Sequence, residues 1–283
     1  MEVILGLPIP LTPNNKKHMI KLHYFIGIAA FMAVAAQAAV VYQSVFTAPN
    51  TTFADTGLTN LGGSGTGDWV FDGANDRAGF DWKDRNARAT LHTAAFQSDG
   101  GFTLDVSFQQ DSVNPSRFDF GLVADTYTLD GNVGWLSQAD LGAYGVGFTT
   151  SGSVASTAGG DVFAFNDGST AKNEFGSITN LSTAQGDIAY NALQTISFTV
   201  TATGWSYSKN GAAATTGTFA TAFDTSKNYR FVAYQQLTSS TNPLGGENSY
   251  YSDITLTAVP EPGTYALLAG LTGLVYVMLR RRR

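Results

Sequence analysis

The sequence predicts an all-β fold, an antiparallel β-sandwich or jelly roll, with a helix attached at each end. Three observations predict it. First, residues 101–110 alternate with period two: Phe102, Leu104, Val106 and Phe108 against Thr103, Asp105 and Ser107. Second, the residues between the two ends are rich in Gly, Thr, Ser, Asn, Asp and aromatics and poor in Lys and Glu, a composition of strands and turns. Third, those residues contain no long helical pattern and no repeat of fixed period.

Taken in order, the chain opens with an address. Lys16-Lys17-His18-Met19-Ile20-Lys21 is basic, residues 22–36 are apolar, and Ala36-Gln37-Ala38 is a small-residue cleavage box. This is the layout of a secretory signal peptide, cut after Ala38 to leave Ala39 first. Residues 1–18, with Pro8, Pro10 and Pro13, are unusual in such a peptide, and Met19 is the more ordinary start. Expression from Met19 is expected to leave export unchanged.

Residues 40–46 read as a first strand. Residues 50–67 read as a polar, glycine-rich loop; its run Gly62-Gly63-Ser64-Gly65-Thr66-Gly67 lacks the Lys-Ser/Thr and the helix of a phosphate loop. Further strands are expected at 101–110, 118–124, 143–150, 162–165 and 195–201. Residues 205–209 and 212–219 then flank Asn210-Gly211, whose tolerance of positive φ makes it a type I′ hairpin turn. Strands at 229–235 and 250–258 follow, the last with Ile254 and Leu256 facing in and Asp253, Thr255 and Thr257 facing out. The total is about ten to thirteen strands.

Three segments resemble the concanavalin A-like (laminin-G-like) jelly roll: Gly101-Phe-Thr-Leu-Asp-Val-Ser-Phe108, the hairpin of residues 195–219 with its Trp-x-Tyr-x-x-Asn-Gly core, and the closing Tyr-Ser-Asp-Ile-Thr-Leu-Thr. An immunoglobulin-like sandwich pair is the alternative architecture.

The tail has three parts in strict order. Val259-Pro260-Glu261-Pro262 comes first, an uncharged and mostly apolar run of residues 263–279 follows, and Arg280, Arg281, Arg282 and Arg283 close it. At roughly 1.5 Å per residue the run is at the short limit for a transmembrane helix. The arginines stay on the cytoplasmic side, so this is a stop-transfer element with everything before it outside. The tail closely resembles the PEP-CTERM sorting signal of Gram-negative bacteria that make exopolysaccharide. The resemblance implies processing by an integral-membrane exosortase after signal peptidase and the secretion machinery have acted. The expected organisation is an extension and signal peptide at 1–38, a β-sandwich domain at 39–258 and the sorting signal at 259–283.

Composition narrows the chemistry. The residues between the two ends carry nine basic and twenty acidic residues, a net charge of −11, which disfavours nucleic acid as a partner. Without cysteine the domain has no disulfide and no thiol nucleophile. His92 is the one histidine left after signal removal; it lies beside Leu91 and Thr93 in a strand-like stretch, where a structural role outweighs a Ser-His-Asp triad. There is no Gly-x-Ser-x-Gly elbow. Concanavalin A-like glucanases carry Glu-x-Asp-x-x-Glu or a close variant. Here the only domain glutamates, Glu174 and Glu247, stand far apart, so no such pair is present. No catalytic residue is assigned.

Binding chemistry has more candidates. Calcium takes oxygen ligands, which Asp72-Gly-Ala-Asn-Asp76, Asp130 in the acidic loop of residues 125–132, and Asp253 on the last strand offer; the same residues are also turn formers. Sugars stack on exposed aromatic rings beside hydrogen-bonding groups. Trp69 and Trp82 flank an acidic loop and Trp135 follows another, which makes them stacking candidates, although burial is the commoner fate of tryptophan in a β-sandwich and the favoured reading for each. Trp205 in its hairpin reads as packing. The expected function is a non-catalytic cell-surface or matrix protein associated with exopolysaccharide or biofilm, passing through the inner membrane on its way out. The alternative is a glycoside hydrolase or lyase on the same fold.

Overall fold

The computed structural model describes residues 38–62, 68–81, 88–110, 116–129, 145–150, 162–166, 179–180, 185–219, 222–237 and 249–281. Ala38–Val259 forms one compact unit, and Pro260–Arg283 belongs to a second.

The first unit is a two-sheet antiparallel sandwich. Its strands are β1 (Ala39–Gln43), β2 (Leu58–Asn60), β3 (Asp68–Asp72), β4 (Arg77–Asp81), β5 (Arg88–Thr93), β6 (Phe102–Gln109), β7 (Ser116–Ala124), β8 (Gly145–Thr150), β9 (Val162–Asn166), β10 (Thr179–Asn180), β11 (Gln194–Val200), β12 (Gly204–Lys209), β13 (Thr215–Thr218), β14 (Tyr229–Leu237) and β15 (Tyr250–Ala258). Sheet A runs β13-β12-β11-β6-β15-β4-β3, with β1 also paired to β15, and sheet B runs β10-β9-β8-β7-β14-β5-β2.

The predicted alternation places the core. On β6, Phe102, Leu104, Val106 and Phe108 are buried, and Ile196, Phe198 and Val200 of β11 and Ile254 and Leu256 of β15 lie beside them in register. Sheet B answers with Phe120 and Leu122 of β7, Phe231 and Ala233 of β14 and Leu91 of β5. Phe108 meets Phe120 across the sandwich at 5.6 Å between ring centroids. Each such ring, fully buried, stabilises the fold by roughly 1.5–3 kcal/mol.

Chain order and sheet order diverge at β15. One edge of β15 pairs with β6 throughout. The other edge is shared: β4 takes Tyr250 and Tyr251, while β1 takes Thr255 to Ala258. The changeover falls at an irregularity between Tyr251 and Asp253. There the Ser44 N–H donates to the Ile254 carbonyl, and the Ile254 N–H donates to Ser44 Oγ. The Asn210-Gly211 turn has the expected positive φ at both residues, 51° and 73°.

One reading needs correction, and one hairpin went unread. Residues 50–67 hold a 3₁₀ turn (Ala54–Thr56) and the short β2, and β3 and β4 form a hairpin that periodicity did not reveal. The reason is local. Both hairpin strands begin and end on charged residues, Asp68 and Asp72, Arg77 and Asp81, leaving three central residues each. A two-residue period cannot be recognised over so few positions.

In the second unit, α1 (Pro262–Arg281) is the C-terminal helix. Pro262 opens it where a missing N–H costs nothing, and Arg280 and Arg281 in its last turn complement the dipole. Among the described residues no helix is long and apolar enough to cross a membrane.

Candidate functional site

Three places matter: the outer face of sheet B, the turn that carries the predicted acidic loop, and the corner where the sorting tail departs.

In register across sheet B, the outward row runs Thr59, His92, Val232, Gly121, Gly147. At the Gly121–Gly147 pair the strands approach so closely that a Cβ on either residue would collide with the neighbouring backbone. The centre of this face is therefore bare main chain. Around it Val123, Val232 and Tyr234 are buried and form a second apolar cluster, on which Tyr127 and Leu129 pack. Tyr234 is 0% exposed although it faces away from the main core. This face is thus built to be covered, unlike a plain solvent face.

At the end of the same sheet, where β7 leaves and β14 enters, polar groups collect. Asn228 Nδ2 donates to Asp125 Oδ2 at 3.2 Å, and Arg230 Nη2 donates to the Asp125 carbonyl at 2.9 Å. The Asp125 N–H donates to the Asn228 carbonyl. A carboxylate, an amide and a guanidinium are the groups that hydrogen-bond vicinal hydroxyls, and half-buried Tyr127 supplies an aromatic next to them.

His92 belongs to this face. Its Nδ1–H donates to the Thr93 carbonyl at 2.8 Å. Burial, and then the Arg230 charge, hold the imidazole below its usual range, against the opposing effect of that hydrogen bond. The ring is therefore neutral at pH 7. Its register neighbours Thr59 and Val232 offer no carboxylate to orient it as a base.

Of the predicted calcium ligands, Asp76 lies near enough to Asp253 for its charge to act there, while Asp72 is engaged in an ion pair. Asp72 is paired with Arg77 Nε at 2.8 Å and accepts from Asn75 Nδ2. These bonds and the Arg77 charge outweigh partial burial and hold its carboxyl below the usual range. Asp76 closes the β3–β4 turn at φ 52° and accepts the Phe46 N–H at 3.1 Å. The Asp72 carboxylate is thus held within the turn, and the Asp76 carboxylate by the distant Phe46 backbone. Asp253 is half-buried at the β15 irregularity; burial, with the Asp105 and Asp76 charges adding, raises its pKa. Asp130 lies outside the described residues. Among the described residues no group of three or more His, Asp or Glu side chains could hold a metal ion.

The tryptophans divide similarly. Trp69 is 3% exposed, its ring 5.4 Å from that of Tyr251, so it offers no face to a sugar; the stacking expectation is corrected for this residue. Its place on the inward side of β3 decides this. Trp205 is half-buried against Phe198 and the core, as expected. Trp82 and Trp135 lie outside the described residues, as do Glu174, Glu247, Ala36, Arg282 and Arg283.

The sorting motif begins on the sandwich itself. Ala39, the first residue behind the expected cleavage box, pairs with Ala258 on one side, and Phe102 pairs with it on the other. Val259 continues alongside Gly101: its N–H donates to the Gly101 carbonyl at 2.9 Å, and Ser98 Oγ donates to its carbonyl at 3.2 Å. Pro260 has no N–H to extend the pairing. Glu261 precedes α1, whose last turn carries Arg280 and Arg281.

Sequence reasoning missed Ser98, Gly101, Asn228 and Arg230. Only β14 carried a legible signal: Val232 and Tyr234 are apolar on the side opposite Phe231 and Ala233, the mark of a strand buried on both faces.

No curated protein matches the sequence. Among solved structures, the carbohydrate recognition domain of Emp46p, in a tyrosine-to-phenylalanine mutant, is similar with a TM-score of 0.52 and 11% identity, covering 78% of this chain and 97% of that one. The CBM2 module of evolved Dit from Lactobacillus casei BL23 phage J-1 gives 0.51 and 13% identity, covering 79% and 96%. At these identities the likeness is one of fold, a lectin-like jelly-roll sandwich. Residues 258–283 match the PEP-CTERM protein-sorting motif, and the chain is by that motif an exported protein.

Proposed function

We propose that this chain is a non-catalytic carbohydrate-binding protein of the cell surface or matrix, sorted through its tail and associated with exopolysaccharide and biofilm. The observation that carries the binding half is the rim of Asp125, Asn228, Arg230 and half-buried Tyr127 at the end of sheet B. A ring-shaped, hydroxyl-rich ligand needs flat surface and directed polar groups together. The similar solved domains, one of them a carbohydrate recognition domain, support the same reading.

The export half rests on the motif. An exosortase removes the tail while α1 holds the chain at the inner membrane. The uncharged run of residues 263–279 reaches only about 25 Å as a helix, against a hydrocarbon core of about 30 Å. That suits a transient anchorage better than a permanent one.

A glycan array probed with residues 38–259, with and without calcium, tests the binding half. Retained glycans lost in Arg230→Ala support it, and an array blank under both conditions refutes it. The calcium arm addresses Asp130, whose expected ligand role stands as part of this proposal. Mass spectrometry of the mature surface protein tests the export half: an intact Arg280 to Arg283 cluster contradicts processing. Reducing ends released from a polysaccharide panel would overturn the non-catalytic reading.

A further inference from the structure

We infer that the turn of residues 98–101 is a latch that holds the sorting motif closed to proteolysis, so that tail removal requires the end of β15 to open. The inference rests on the processing proposed above. Val259, the first residue of the motif, is fastened at both its N–H and its carbonyl, to Gly101 and to Ser98 Oγ. The latch is built for this. Ser98 is buried, and the Gly101 N–H donates to the Ser98 carbonyl at 3.0 Å, closing the turn. Gly101 has φ 102°, and a Cβ there would collide with the Val200 carbonyl. Only glycine can therefore bring the carbonyl of residue 101 alongside Val259.

The consequence follows from chain length. Val259 is held as an added residue of the sheet, and α1 begins at Pro262, so only Pro260 and Glu261 lie between. Proteases act on extended, unpaired backbone, and cleavage of a locally closed segment tracks the population of its open form. Two residues, one of them proline, supply too little open chain. Release of Val259 lengthens the accessible segment, and the Ser98 hydroxyl contributes directly to keeping it shut. Ser98 is a positioning residue in this scheme, and it takes no part in bond cleavage.

The test uses the full chain. In detergent micelles, proteinase K cleavage between Val259 and Gly263 should be about three- to tenfold faster in Ser98→Ala, the effect of losing one neutral hydrogen bond. Ser98→Thr, which keeps the hydroxyl, should cut at the wild-type rate. Inserting a flexible Gly-Ser stretch after Val259 should speed cleavage and abolish the effect of Ser98→Ala. In an exosortase-bearing host, pulse-chase of tail removal should show the same order. Equal detergent rates for wild type and Ser98→Ala overturn the latch. Failure of the host to process wild type at all overturns the export reading instead, while the detergent rates still decide the latch.

Discussion

The outer faces of the two sheets differ in kind. On sheet A it is a polar ladder of hydroxyls and two carboxylates: Thr103 Oγ1 and Thr199 Oγ1 lie 2.8 Å apart, Ser107 Oγ and Thr195 Oγ1 3.0 Å apart, Thr257, Thr255 and Ser197 continue the rows, and Asp105 and Asp253 stand among them. On sheet B the corresponding face carries Val123, Val232 and Tyr234, all buried, around paired glycines. A face of short hydroxyls can meet water anywhere, so it needs no partner. A face of buried aromatics and bare backbone is shaped for what covers it. The contrast separates the two sheets: sheet A pairs β1 with β15, the strand that runs into the sorting motif, and sheet B carries the candidate ligand rim.

The contrast can be broken by substitution. Tyr234→Ala should cost about 3–5 kcal/mol, as for a core aromatic, although Tyr234 lies on an outer face. Ser197→Ala at a comparable position of sheet A should stay within about 0.5 kcal/mol. Urea midpoints compare the two, and equal small effects would erase the distinction. Gly121→Val should destabilise by about 1–3 kcal/mol through collision with the β8 backbone, read from the same midpoints. Asp125→Ala should weaken glycan retention about tenfold, near 1.4 kcal/mol, with little loss of melting temperature. A large loss of stability there would make the rim structural.

The smallest expected effect concerns pH. Burial, reinforced by Asp105 and Asp76, raises the Asp253 pKa, so the folded state binds that proton more tightly than the unfolded state. The associated stability is present below the unfolded carboxyl pKa and is lost as pH rises through the folded one. Asp253→Asn should therefore raise the melting temperature at pH 7, and the gain should disappear at about pH 3, where wild type is protonated in both states. A gain independent of pH would assign the effect to packing.

Much of this protein was legible as sequence because the relevant physics is local. Alternation over eight residues identifies β6, both residues of Asn210-Gly211 accept positive φ, and Pro-Glu-Pro, apolar run and arginines must be contiguous to act as a tail. The β3–β4 hairpin escaped because three central residues carry no readable period. Burial is the favoured reading for every candidate tryptophan, but that Trp69 in particular faces inward was not readable, because nothing local distinguishes an inward ring from an outward one.

The sequence by itself determined the all-β class, the turns and the export address. Only the tertiary structure decided which strands are neighbours. It brings Asn228 to Asp125 across 103 positions and Ser98 to Val259 across 161. Such contacts follow from how two sheets share one core, a property of the whole packed chain that no window of sequence contains.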